Sequence, residues 1–421
     1  MLRGDAIPLS NTIVPRVHPL PKLRQEKRQA TSTSASRTPQ PSTVGATVHL
    51  DALRGFAAFS VLLSHWRDAL FVDYSQLGHG GPLMSAAYLF TGMGHQWVIV
   101  FFVMSGYFVG GSVLRSVERG SWSWRHYLLA RLTRLYVVLL PALLFGGALD
   151  WMGMHLAGTE LLYGGRAGLH ELTVNVHDTL TPVTLLANGF FLQTIVLGSH
   201  QVATFGTNGP LWSLCNEFWY YLAFPALVLS LSKSQSLNVR VGCALALMIL
   251  GWFTGWSIII LGVPWLMGVF IPYLPTFTVR SPGMRIGAIV AALALVTSGL
   301  VLTKLWLSLG ATLLLGASVT LLIWVTLRCA NGPLPTAYVW LARRAAHSSY
   351  TLYLVQMPML IFLKASLHLP RATPGLLGLL VGIGVLVAIL VYAQLVYELF
   401  EKKTQRVREW LKPYVIGSRT A

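Results

Sequence analysis

The stretch LDALRGFAAFSVLLSHW, residues 50–66, decides what kind of protein this is. It is apolar enough to cross a membrane, yet it carries Arg54 near one end and His65 deep inside. Ionisable side chains are costly in hydrocarbon, so those that persist there tend to mark a site or a pathway. In a helix, the eleven steps between them rise roughly 16 Å and return His65 to within about 20° of the Arg54 face. One helix face then links a charge at the membrane surface to a titratable ring near the midplane. Taken singly, Arg54 reads as a snorkelling end charge and His65 as a ring bonded to a neighbouring helix; their shared face favours function.

The rest of the chain fits that setting. Of 421 residues, 54% are hydrophobic and 11% charged, with a mean hydropathy of +0.61. A soluble domain carries about a quarter charged residues, so this composition is that of a polytopic membrane protein. The net charge of +17 does not point to nucleic acid, because Lys and Arg cluster in short loops between apolar runs, the positive-inside pattern. Cys215, Cys243 and Cys329 lie in or beside apolar runs at no metal-ligand spacing and read as small core fillers; no metal is expected.

Apolar runs occur near 53–72, 96–114, 135–155, 183–198, 211–231, 239–262, 264–278, 285–303, 306–327, 347–367 and 376–399. The basic loop from Arg115 to Arg134 and the segment EKKTQRVREWLK after the last run both read as cytoplasmic, which requires an even number of crossings. If the short run 183–198 does not cross, only Lys304, Lys364, Arg166 and Arg371 fall outside. The expectation is therefore an all-α integral membrane protein with about ten transmembrane helices plus a short re-entrant or interfacial helix. Residues 1–47, rich in Pro, Ser, Thr and basic residues, read as a disordered cytoplasmic tail; 48–402 form the membrane domain, and 403–421 a basic cytoplasmic C-terminal tail. Both termini are then cytoplasmic, with the bacterial inner membrane as the expected location.

At this point the residues carry a resemblance. Arg54, ten residues, then His65 resembles the first-helix hallmark of the acyltransferase-3 family of membrane O-acyltransferases. VFFVMSGYFVGG (100–111), NGPLWSLCNEFWYYLAFP (208–225) and SSYTLYLVQMP (348–358) are similar to three further blocks of that family, in order. Gln356 departs from it, standing where the family often has His, and Glu217 followed by Phe218 stands where a pair of acids is common.

The resemblance implies transfer of an acyl group, most often acetyl, from cytoplasmic acyl-CoA to a hydroxyl of a glycan, a lipid-linked sugar or another envelope substrate. Acyl-CoA is then a co-substrate, with no permanently bound cofactor. Arg131 and Arg134, in ARLTRLY, share a helix face at i, i+3. Two guanidinium forks there suit a phosphate cluster, and Arg54 would complete the site. His65 is the expected general base, and a transient acyl-histidine fits equally well. Arg54 and His65 together would then line a channel for the charged donor.

Glu217 is the second catalytic candidate, expected near the outer side, where it could orient His65 or bind acceptor hydroxyls. Trp212 and Tyr220 are expected to stack on the acceptor. Asp51 reads as a helix cap and a partner of Arg54. Ser105 reads as an interhelical packing residue. The polar loop 156–182, with Glu160, Arg166, His170, Glu171, His177 and Asp178, is a candidate for shaping acceptor choice. A transporter or flippase using His65 and Glu217 as a relay is the competing class, although the chain shows no clear internal repeat.

Overall fold

The computed structural model describes residues 44–78, 81–330 and 332–417. About three quarters of the described backbone is helical, because in lipid every backbone N–H and C=O must be satisfied within its own segment. The expected tail 1–47 lies outside these residues except for its last four, which already belong to the first helix.

That helix, α1 (Val44–Leu70), starts well before Asp51, so Asp51 sits inside it and does not cap it. After α2 (Pro82–Thr91), α3 (Gly94–Ser105) runs through a π-helical turn (Gly106–Gly110) into α4 (Gly111–Glu118). The third long element, α5 (Trp124–Met154), is followed by a polar region holding α6 (Glu160–Tyr163), α7 (Val176–Thr179), α8 (Pro182–Gly189) and a two-residue hairpin, β1 (Val196–Leu197) with β2 (His200–Gln201). The bundle then continues with α9 (Leu211–Leu231), α10 (Leu237–Phe270), α11 (Pro282–Leu305), α12 (Leu309–Cys329), α13 (Thr336–Ser366) and α14 (Leu376–Leu399). A last helix, α15 (Thr404–Ile416), occupies most of the expected C-terminal tail and packs on α5.

Among the described residues, eight helical segments are long and apolar enough to cross a membrane. Two physical facts relate that count to the ten expected. The 34-residue α10 would extend about 50 Å if straight, against a hydrocarbon core of about 30 Å. It breaks at Gly255, whose φ of 76° and ψ of 173° suit a residue without a Cβ. Arg240, before the break, donates to the Ser230 carbonyl at the end of α9, and Phe253 reaches back to Trp219. Beyond it the chain descends again, Trp265 packing on Phe224 and Val269 on Gly110. Trp252 and Trp256 flank the turn, both largely exposed, as interfacial tryptophans are. The other case is α13, whose Arg343, Arg344, His347 and Lys364 lower its apolarity although its central turns are buried. The run 183–198 forms only α8 and the hairpin and does not cross.

Two close helix contacts set the frame. Along α1 and α13 small residues meet, and a Cβ on Gly55 would stand 2.5 Å from the Ala345 methyl. The π-turn of α3 meets the second arm of α10 still more tightly. A Cβ on Gly106 would lie 1.8 Å from the Trp265 carbonyl oxygen, and one on Gly268 would lie 1.9 Å from that of Val103. With no hydrophobic drive between helices in lipid, such close backbone approach supplies much of the association energy. Gly268→Ala is therefore expected to destabilise the protein by at least the ~1–3 kcal/mol typical of overpacking, read as a lower melting temperature in detergent. Gly287→Ala, at a position with nothing within 4 Å, should be neutral or slightly stabilising.

Candidate active site

The helices place one group of charges toward the face that carries the start of α1 and another toward the opposite face. The first surrounds a cavity of ≈ 360 Å³. Arg54 of α1, Arg131 and Arg134 of α5, and Glu217 of α9 all line it, so four of the residues singled out in the sequence converge in space.

Each cation there is held in place. Arg54 donates to the Ala346 carbonyl at 3.0 Å and lies 3.6 Å from Asp51, one turn earlier on α1. The Arg131 guanidinium sits over the rings of Tyr127 and Tyr221, and its Nε, like that of Arg54, is buried without a hydrogen-bond partner among the described residues. Arg134 couples electrostatically to Glu217 and Glu401, while Glu401 is fixed by Thr351. Three guanidinium groups around one cavity, two of them with an unpartnered buried Nε among the described residues, are the kind of donors that an anion would need.

Glu217 belongs to this group and not to the His65 side. Ser105 donates to its Oε1 at 2.9 Å, and the Tyr221 hydroxyl donates to the same oxygen. Ser105 in turn accepts from the Trp265 indole at 3.2 Å. Ser105, expected to pack only, is thus part of the polar wall, and it sits where α3 changes to the π-turn. Such turns recur at functional sites.

On α1 the cavity reaches Thr47, Asp51 and Arg54 but no farther. Its far wall includes Val98, Phe101, Ser213, Leu214, Tyr353 and Leu354. Tyr353 and Ser213 share a 2.8 Å hydrogen bond there, and Phe101 packs edge-on against the Tyr353 ring. Asn208 braces the layer by donating to the Leu354 carbonyl at 2.8 Å. The turn before α9 that delivers Asn208 and Ser213 is pinned from α5, since Asp150 accepts from Thr207 N at 2.8 Å and from Thr207 Oγ1 at 2.7 Å. Gly206 has no room for a Cβ, which would stand 2.1 Å from Asp150 Oδ2.

His65 lies beyond this layer. Arg54 and His65 therefore do not line one continuous channel in this conformation. The imidazole is almost fully buried, and its Nε2 stands 3.9 Å from Glu171 Oε2 in the polar loop after α6. Nearby, His95 stacks on Trp212 with ring centroids 5.0 Å apart. Trp212 thus falls on the His65 side, where the sequence put an acceptor. Tyr220 does not: its hydroxyl donates to the Ile258 carbonyl at 2.7 Å and its ring lines an apolar cleft between α9 and α10. Its hydroxyl thereby ties α9 to the second arm of α10.

The loop near His65 is clamped at one residue. Arg371 donates to the carbonyls of Phe71 at 3.1 Å and Gly168 at 2.6 Å, and to Asp73 at 2.8 Å. Burial pushes the Asp73 carboxyl up, but the hydrogen bond and charge of Arg371, together with His170, hold it below the usual carboxylate value. Asp68, Asp73 and His170 bring ligand-type atoms within 4.8 Å of one another. Arg371 and Arg67 already supply the counter-charge there, so the cluster reads as an ionic clamp.

The division into two sides has a direct test. A cysteine replacing Arg54 and one replacing Glu171 are expected to react with a membrane-impermeant thiol reagent from opposite sides of the membrane. Labelling of both from one side would contradict the division.

Comparison with known proteins gives a family for the chain. The chain is 28% identical over 176 residues to a protein named acyltransferase MdmB from Streptomyces mycarofaciens. That alignment takes in 42% of this chain and 38% of the relative, so it spans well under half of the relative's length. No solved structure matches. The profile of a family described as an acyltransferase domain matches residues 48–393, a span that includes Arg54, His65, Arg131, Arg134, Glu171 and Glu217, and by that match the chain belongs to the acyltransferase-3 family.

Proposed function

We propose that this protein moves an acyl group, acetyl in the simplest case, from cytoplasmic acyl-CoA to a hydroxyl of a carbohydrate or other cell-envelope acceptor. The observation that carries this reading is the convergence of Arg54, Arg131 and Arg134 on one cavity, a site suited to the phosphates of a CoA nucleotide. The cavity then opens to the cytoplasm, which agrees with the basic loop after α4 and the basic α15 on the same face. Its far wall is apolar and aromatic and suits a pantetheine arm carrying a thioester inward. His65 and Trp212 stand past that wall on the acceptor side.

The step has a simple balance. The acceptor oxygen bonds to the thioester carbonyl carbon as His65 takes the hydroxyl proton; the C–S bond breaks, and the departing thiolate takes that proton from the imidazolium. Tyr353 and Ser213 lie between donor and acceptor, so their hydrogen bond must open, or their side chains turn aside, for the thioester to meet the hydroxyl.

Two variants test the roles. His65→Ala is expected to lower turnover by about 10²–10⁴-fold while the protein stays folded and still binds CoA. Acetyl-CoA thiol release in the presence of an envelope glycan fraction measures this, and wild-type turnover in the variant would remove His65 from the mechanism. Replacing Arg131 and Arg134 together by Ala should raise the KM for acetyl-CoA at least tenfold, each charge-assisted contact contributing about 1.5–3 kcal/mol. An unchanged KM would leave the pair as topology anchors alone.

A further inference from the structure

A general base in a dry site needs a group that fixes its ring and steadies the charge it acquires. Glu217 does not serve His65 in this way, because Ser105 and Tyr221 hold it in the arginine-lined cavity. Glu171 is the carboxylate that stands beside His65, 106 positions later in the chain and 3.9 Å away in space.

We infer that Glu171 is the positioning residue for His65, holding the Nε2–H side of the imidazole and leaving Nδ1 as the atom that takes the acceptor proton. This rests on the acyl-transfer reading above. Three independent features of the structure support it. His65 Nδ1 is buried and has no hydrogen-bond partner among the described residues, so it is available to a ligand. A buried ring nitrogen left unpaired costs free energy, and an acceptor hydroxyl would recover that cost. Glu171 is also placed by α1 itself. Its backbone N–H donates to Asp68 Oδ2 at 3.3 Å, and Asp68 lies one turn beyond His65 on the same helix. Arg371 then secures the same loop through the Gly168 carbonyl.

The third feature is the difference in exposure. The Glu171 side chain is 44% exposed and the His65 side chain 7%. The carboxylate therefore keeps much of its hydration, while the imidazole it faces is dry. Asp68, His95, Lys304 and Tyr353 are other charged or titratable groups that interact electrostatically with this pair among the described residues. Asp68 is committed to the Glu171 amide and lies 3.9 Å from Arg371. As the acceptor proton reaches Nδ1, the imidazolium that forms keeps its Nε2–H toward Glu171, and an ion pair at 3.9 Å can contract to a hydrogen bond. Delivery of the Nδ1 proton to the departing thiolate restores the neutral ring.

The test uses the full-length protein in detergent, with acetyl-CoA and a crude envelope glycan fraction as probes. Glu171→Gln is expected to lower kcat about 100-fold with the KM for acetyl-CoA unchanged, and Glu171→Asp to recover at least about tenfold of that loss. CoA binding and melting temperature of the Gln variant should match the wild type, which separates positioning from misfolding; Glu171→Ser provides a second neutral variant should Gln fail to fold. Wild-type kcat in the Gln variant, or a fall accompanied by a raised acetyl-CoA KM, would overturn the assignment while leaving acyl transfer intact. If the wild type itself releases no thiol under any condition, the acyl-transfer reading fails and this inference falls with it.

Discussion

The close packing of α1 against α13 is the constraint on which both sides of the site depend. The two helices meet through small residues, Gly55 against Ala345, so their backbones lie near enough for Arg54 to donate to the Ala346 carbonyl. The same helix carries His65 toward the opposite face, where the chain just past its end pairs with the segment before α14 through Phe71 and Ala372. A larger residue at the contact would move the arginine and the histidine together, since both ride on one rigid element.

Charge compensation follows from that geometry. Near the basic face, three arginines are balanced by Glu217, Asp51 and Glu401, with aromatic rings from α5 and α9 over the Arg131 guanidinium. On the far face, Arg371 and Arg67 balance Asp68 and Asp73, and Glu171 stands beside His65. Each group is locally paired, as buried charges must be. Between them lies a layer of packed aromatic and aliphatic side chains whose polar contacts, Tyr353 with Ser213 and Asn208 with the Leu354 carbonyl, are made within the protein.

The close crossing of α3 and α10 puts a π-turn directly beside Ser105. The extra residue of that turn, with Gly106 and Gly268 free of side chains, lets Trp265 approach near enough to donate to Ser105, which in turn orients Glu217. Helix packing and site chemistry are here the same set of contacts. This explains why a stretch that reads as plain packing sequence, VMSGYFVGG, lies on the wall of the cavity.

Much of this was legible in the residues themselves. Apolar run lengths and the clustering of Lys and Arg determine an all-α membrane protein, because hydrocarbon admits few alternatives. The i, i+3 spacing of Arg131 and Arg134 determines that they share a face, and that face does line the cavity with Arg54. What the residues could not show is what occupies each level along a helix face. Periodicity gives an azimuth but not the neighbour met there, so Arg54 and His65 share a face of α1 and still lie on opposite sides of the Tyr353 layer. The same limit placed Glu217 with His65, and Tyr220 with an acceptor when its hydroxyl is bonded to the Ile258 carbonyl of α10. Glu171 was visible only as one of several polar loop residues. Its pairing with His65 depends on how Asp68 and Arg371 fold that loop back over the end of α1, a contact between distant parts of the chain that tertiary structure alone decides.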